Sequence, residues 1–173
     1  MILLCAVIYP MLIAVVGKAT PGGGKGSTVA VNGKVVGYEL IGQKFTDDKY
    51  FWDRPSAVDY NAAGSAGSNK GPSNPEYLKQ VQDRIDSFLA HNPGVRKDEI
   101  PVDLVTASGS GLDPDISPAA AYIQVKRIAA TRNIPEDRIK ALVERHIDRP
   151  LAGILGPSKV NVLKLNIALD EIK

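Results

Sequence analysis

The sequence predicts an α+β fold, with one N-terminal transmembrane helix followed by a single mixed α/β domain. Three observations point there. Residues 1–17 contain no charged side chain, and no later apolar run matches that length. Two β-branched runs then meet at Asn32-Gly33. Beyond them, proline-led stretches with apolar residues at helical spacing alternate with short apolar runs of strand length. The expected organisation is an anchor over 1–17, a Gly-rich tether over 18–27 and a domain over 28–173.

The anchor comes first. In hydrocarbon an unpaired backbone amide costs several kcal/mol, so an apolar run is stable there as a helix that closes its own hydrogen bonds. Residues 1–17 reach roughly 25 Å, against roughly 30 Å of bilayer core. So short a span implies local bilayer thinning, or a native chain beginning upstream of Met1. A cleaved signal peptide competes with this reading, but the basic n-region is missing and Val15-Val16-Gly17 is a poor cleavage site. A buried core helix is the third alternative. Cys5 reads as apolar filler, because Leu4 stands where a lipoprotein signal needs a small residue. Lys18 and Lys25 follow the segment and nothing basic precedes it, so charge alone places the body in the cytoplasm.

About 155 residues remain, enough for one domain with a sizeable core. Net charge is only +2 with 23% charged residues and no long block of one sign, which excludes a nucleic-acid footprint. One cysteine excludes an intrachain disulfide, and two histidines without a second cysteine argue against structural zinc.

Along the domain, Gly22-Gly23-Gly24-Lys25-Gly26-Ser27 fails as a phosphate loop. The Walker pattern requires Ser or Thr directly after the lysine and then a helix, whereas Gly26 intervenes and a hairpin follows: 28–31, Asn32-Gly33, 34–38. Residues 39–51 read as an extended apolar stretch. Residues 52–75 form a long loop whose aromatic flanks Phe51, Trp52 and Tyr60 favour an ordered binding segment. Asn74-Pro75 caps a helix carrying Leu78, Val81, Ile85, Phe88 and Leu89, stopped by Asn92-Pro93-Gly94. A buried strand is expected over 101–106. Ser117-Pro118 starts a helix running to about Arg132, and Pro135 starts another with Ile139, Leu142, Val143, His146 and Ile147 on one stripe. Period-two alternation from Val160 to Leu169 predicts a terminal strand.

No catalytic constellation emerges. Ser108-Gly109-Ser110-Gly111 does not fit the spacing of a nucleophile elbow, and His146 on an apolar stripe reads as a half-buried core residue. Asp113-Pro114-Asp115 lacks the alternating ligands of a calcium loop. These aspartates suit the positive end of the helix that follows.

Several blocks nevertheless resemble one family in order along nearly the whole chain. They are Leu40 to Phe45, Tyr50 to Ala57, Ser65 to Asn69, Val105 to Asp113, Ile116 to Ala121, Gln124 with Arg127, and Val160 to Asp170, with Tyr9-Pro10 in the apolar segment. Together they resemble the C chain of the bacterial potassium-transporting ATPase, the Kdp system. Family members usually carry a longer, basic N-terminal lead.

The resemblance implies a non-catalytic subunit of an ATP-driven potassium uptake complex. It places a single-pass helix in the cytoplasmic membrane, among lipid, and the domain outside the cytoplasm, overriding the charge-based orientation. The implied partners are a potassium-binding pore subunit, a P-type ATP-hydrolysing subunit and a small single-helix subunit. Potassium is the transported ion, and the family is credited with raising the hydrolytic subunit's ATP affinity. The family's proposed nucleotide contact falls on Gln124. A cap, a core hydrogen bond or a subunit contact suits Gln124 better, because a domain beyond the membrane cannot reach cytoplasmic ATP. A direct ATP-binding cofactor subunit is the competing reading, and a secreted serine hydrolase acting through Ser108 or Ser110 a third. Interface candidates are Phe51, Trp52, Arg54, Tyr60 and Asp113. Asp47, Asp48, Asp53, Asp59, Asp113 and Asp115, where they face an ion entrance, concentrate cations there.

Overall fold

The computed structural model describes residues 1–20, 22–151 and 153–172. The chain divides into two compact units, Met1–Leu40 and Ile41–Lys173, with the hairpin in the first.

In the first unit the chain is helical from residue 2 to residue 18, and every side chain from Met1 to Val16 is exposed. The winding changes on the way. Leu4–Ile8 is a π-helix whose last turn closes with the Tyr9 N–H donating to the Leu4 carbonyl, and α1 (Tyr9–Lys18) is α-helical with Pro10 in its first turn. In a continuous α-helix the Pro10 ring would clash with the carbonyl four residues back. The wider turn lies directly before it. No helix among the described residues is long and apolar enough to cross a membrane. The helix expected over 1–17 is thus present as helical winding over 2–18 that includes a π turn before the ten-residue α1.

After the Gly-rich stretch, β1 (Thr28–Val31) and β2 (Lys34–Tyr38) pair antiparallel from Thr28↔Tyr38 to Val31↔Lys34, with a register irregularity between Val29 and Ala30. Asn32 and Gly33 both take positive φ, 51° and 77°, as a two-residue hairpin turn requires.

The second unit opens with a long irregular segment and then α2 (Pro75–His91), capped by the Asn74 side chain, which accepts from the Tyr77 N–H. Asp115–Ile116 is β3; α3 (Pro118–Tyr122) and α4 (Val125–Arg132) follow. Next come α5 (Glu136–Arg145), β4 (Ile147–Asp148), β5 (Lys159–Asn161) and α6 (Val162–Asp170). The three short strands form an antiparallel sheet in the order β3-β5-β4. Helices α3 and α6 pack against the central strand, and α5 contacts α3, α4 and α6. The core between them is Phe51, Phe88, Ile116, Ala120, Val125, Ile128, Ile139, Val143, Val160, Val162, Leu165 and Leu169.

Four elements differ from the sequence-based expectation. The helix begun at Pro135 ends at Arg145, and Ile147, expected on its stripe, lies in β4. Residues 102–104 form a 3-10 turn rather than a strand. The helix expected to run from Pro118 to Arg132 is broken at Ile123-Gln124. The terminal strand stops after Asn161, whose side chain accepts from the Lys164 N–H and caps α6. Buried Val162, Leu163, Leu165, Asn166 and Leu169 then follow helical spacing.

Candidate functional site

The dipeptide Phe51-Trp52 lies between Asn166 on α6 and Gln124 at the break between α3 and α4, with its backbone hydrogen-bonded as an extended chain would be. Successive residues of an extended chain direct their backbone groups to opposite sides, so each needs its own partner. Asn166 on α6 serves Phe51: its Oδ1 accepts from the Phe51 N–H at 2.8 Å and its Nδ2 donates to the Phe51 carbonyl at 3.0 Å. Gln124, at the break between α3 and α4, serves Trp52: its Oε1 accepts from the Trp52 N–H at 2.8 Å and its Nε2 donates to the Trp52 carbonyl at 3.3 Å. Two carboxamides thus stand in for neighbouring strands.

Gln124 is fully buried. Its Nε2 also donates to the Ala120 carbonyl at 3.0 Å, and its Oε1 accepts a second bond from Arg127 at 2.7 Å. All four of its hydrogen-bonding positions are therefore occupied. Arg127 is itself buried, with Nε donating to Asn92 Oδ1 at 3.0 Å and Nη1 to the Asp48 carbonyl at 2.6 Å. Its guanidinium lies 4.6 Å from the Trp52 ring centroid. Burial lowers the Arg127 pKa to about 10, against the opposing pull of Asp48 and Asp47. Asp48 in turn meets His91 Nδ1 at 2.9 Å.

The next residue opens a second cluster. Asp53 is 8% exposed, and its Oδ1 accepts from the Arg54 N–H at 2.7 Å. Burial pushes its pKa up to about 7, with Asp113 and Asp115 adding to the rise and the backbone bonds from Arg54 and Gln43 opposing it. Arg54 pairs with Asp113 at 2.7 Å and Lys159 with Asp115 at 2.6 Å. Asp103 accepts from both the backbone and the hydroxyl of Ser117, fixing the start of α3. Arg54, Asp103, Asp113, Asp115, Ser117 and Lys159, with Val102 and Pro157, line an open cleft of about 520 Å³.

Beside it the 54–60 loop folds on itself. Ser56 Oγ donates to the Gly111 carbonyl at 2.6 Å and accepts from the N–H groups of Val58 and Tyr60. Tyr60 donates to the Arg54 carbonyl, and burial raises its pKa. Gly111 has φ +69°, and a Cβ there would sit 2.8 Å from Val58 and 2.9 Å from the Ala66 carbonyl. Ser108 Oγ accepts from the Gly111 N–H and Ser110 Oγ from the Leu112 N–H. Both serines thus brace this turn, while His146 Nδ1 lies 2.8 Å from the Leu142 carbonyl.

Phe51, Trp52, Arg54, Tyr60 and Asp113 are therefore brought into one region, but unequally. Phe51 is a core residue with no exposed surface, whereas the other four are half-buried. The aspartates are not a free field of negative charge. Asp47 pairs with Lys49, Asp48 with His91 and Arg127, and Asp59 with Lys44. Among the described residues no group of acidic, histidine or cysteine side chains is arranged to hold a metal ion.

A family model described as "KdpC: K+-transporting ATPase, c chain" matches residues 1–171. The chain belongs to the KdpC family. It is 60% identical over 172 residues to the potassium-transporting ATPase KdpC subunit of Flavobacterium johnsoniae, covering 99% of this chain and 92% of the relative. With the subunit of that name from Flavobacterium psychrophilum it shares 60% over 173 residues, covering 100% and 93%. With the one from Caldanaerobacter subterraneus subsp. tengcongensis it shares 50% over 172 residues, covering 98% and 89%. In this KdpC-family chain, sequence reasoning singled out Gln124 but not its counterpart Asn166. The available signal was a lone carboxamide on an otherwise apolar face, since a buried polar group must be paired.

Proposed function

We propose that this chain is a non-catalytic subunit of an ATP-driven potassium uptake complex, assembling and stabilising its pore and ATP-hydrolysing subunits. The observation that carries the proposal is the family match across residues 1–171 together with relatives named as subunits of a potassium-transporting ATPase. The exposed apolar segment Met1–Val16 supports membrane tethering, with the body on the extracytoplasmic side. Half-buried Trp52, Arg54, Tyr60 and Asp113 supply the surface for the pore subunit. A raised ATP affinity of the hydrolytic subunit is transmitted through the assembly, by contacts that differ between its states. The burial and complete hydrogen bonding of Gln124 support that coupling over a direct nucleotide contact.

The test is purification of the tagged full chain from membranes in mild detergent. A pore subunit, a P-type subunit and a small single-helix subunit should co-elute. A chain that elutes alone from cells expressing all of them refutes the proposal. In the same preparations a labelled ATP analogue should bind the assembled complex and not the isolated chain.

A further inference from the structure

We propose that the turn carrying Leu151, Ile154 and Leu155 is a second membrane contact, in which these three side chains enter the headgroup boundary of a lipid bilayer. The proposal rests on the membrane-tethered reading above. These side chains are 73%, 82% and 62% exposed, and no other large apolar residue described after Leu40 is as exposed as the first two. Scattered surface apolar residues are ordinary; three this exposed within five positions of one turn call for a partner.

The backbone of the turn indicates which kind. Leu151 and Leu155 each donate to the other's carbonyl, at 3.2 and 3.0 Å. Gly153 donates to Pro150 at 2.9 Å and Ile154 to Leu151 at 3.3 Å. Pro150 and Pro157 have no N–H to offer. The tip therefore presents hydrocarbon with the amides of Leu151, Gly153, Ile154 and Leu155 closed on carbonyls of the same turn. Protein interfaces carry about one direct hydrogen bond per 100–200 Å², which this surface serves poorly. Lipid, by contrast, demands internally closed backbone. Arg145 and Arg149 flank the turn, both exposed, and Arg149 keeps 76% of its side chain in solvent while pairing with Glu144 at 3.0 Å. Such long cationic side chains reach headgroup phosphates with their stems against apolar surface. A tether holds the body at high effective concentration over the bilayer, so three apolar side chains suffice where they would not recruit a free protein.

Full chains carrying Cys5→Ser and one of Ile154→Cys, Leu155→Cys, Ile13→Cys or Asp137→Cys, each labelled with a nitroxide, would be reconstituted into vesicles of phosphatidylethanolamine and phosphatidylglycerol. Collision accessibility to oxygen and to a nickel chelate is then read by electron paramagnetic resonance. The expected result is an oxygen-to-nickel ratio at positions 154 and 155 several-fold above that at position 137 and approaching that at position 13. A lipid-like ratio at 13 with aqueous ratios at 154 and 155 overturns the proposal and leaves the tether standing. Aqueous ratios at every position overturn both. Nickel protection at 154 that appears only with the other subunits present overturns it in favour of a protein contact.

Discussion

Gln124 shows how a single side chain ties several distant parts of the chain together. Its amide closes both backbone groups of Trp52 and holds Arg127, so truncation leaves a buried N–H, a buried carbonyl and a buried cation short of partners. Each orphaned buried group costs about 1–3 kcal/mol. Gln124→Ala should therefore lower stability by about 3 kcal/mol, read as an earlier urea midpoint at unchanged slope. Pairing it with Arg127→Ala in a double-mutant cycle should give less than the sum of the two single losses, because the residues share one network. A fully additive pair would show that they act separately. Asp53 makes a second residue-scale prediction. Its folded pKa is raised from 3.8 to about 7, so the folded state holds the proton more tightly than the unfolded chain. Stability should then be greatest below the unfolded pKa, fall as pH rises through that interval, and level off above about 7. Asp53→Asn should flatten that fall in urea titrations across the same pH range, because a neutral amide keeps the acceptor for the Arg54 N–H without the charge.

At the scale of elements, local chemistry was legible in the sequence and interrupted periodicity was not. Asn32-Gly33, Asn74-Pro75 and Ser117-Pro118 each placed an element start correctly, because a turn or a cap is decided by a few adjacent residues. The carboxy-terminal segment misled because Val160 and Val162 alternate around Asn161 like a strand, although Asn161 is itself the cap that converts the chain to α6. The break before α4 falls on Gln124, whose pairing with Trp52 is tertiary and leaves no trace in local propensity. Half of the site was likewise legible. The aromatic and Asp-Arg residues of the 51–60 loop stood out by type, whereas Asn166 acts from 115 positions away. The turn at Gly111 offers an element-scale test. Its positive φ and the backbone oxygen 2.9 Å from a would-be Cβ leave no room for a side chain. Gly111→Ala should cost upwards of about 1 kcal/mol from conformation alone, with a larger loss if Ala66 cannot move. Gly109→Ala, with nothing near its Cβ, should cost far less in the same thermal melts.

For the whole molecule, the decisive feature is that every residue of the hydrophobic core lies at or beyond position 45. The three-stranded sheet and helices α2 to α6 all fall within Ile41–Lys173. The amino-terminal unit contributes an exposed apolar helix and a two-stranded hairpin, and a lone hairpin is marginal in water. Folding free energy thus resides in the body, while under the proposed function the first forty residues carry attachment. A chain beginning at Ile41 should accordingly unfold cooperatively, with a urea midpoint close to that of the full chain in detergent and the same near-ultraviolet signature from Trp52 against Arg127. It should also be released from the membrane fraction by alkaline carbonate, which leaves the full chain behind. Loss of cooperativity in the shortened chain would mean that the hairpin is part of the folding unit. Carbonate release of the full chain would instead remove the membrane tether. The two measurements address different units of the same polypeptide, so either can fail without deciding the other.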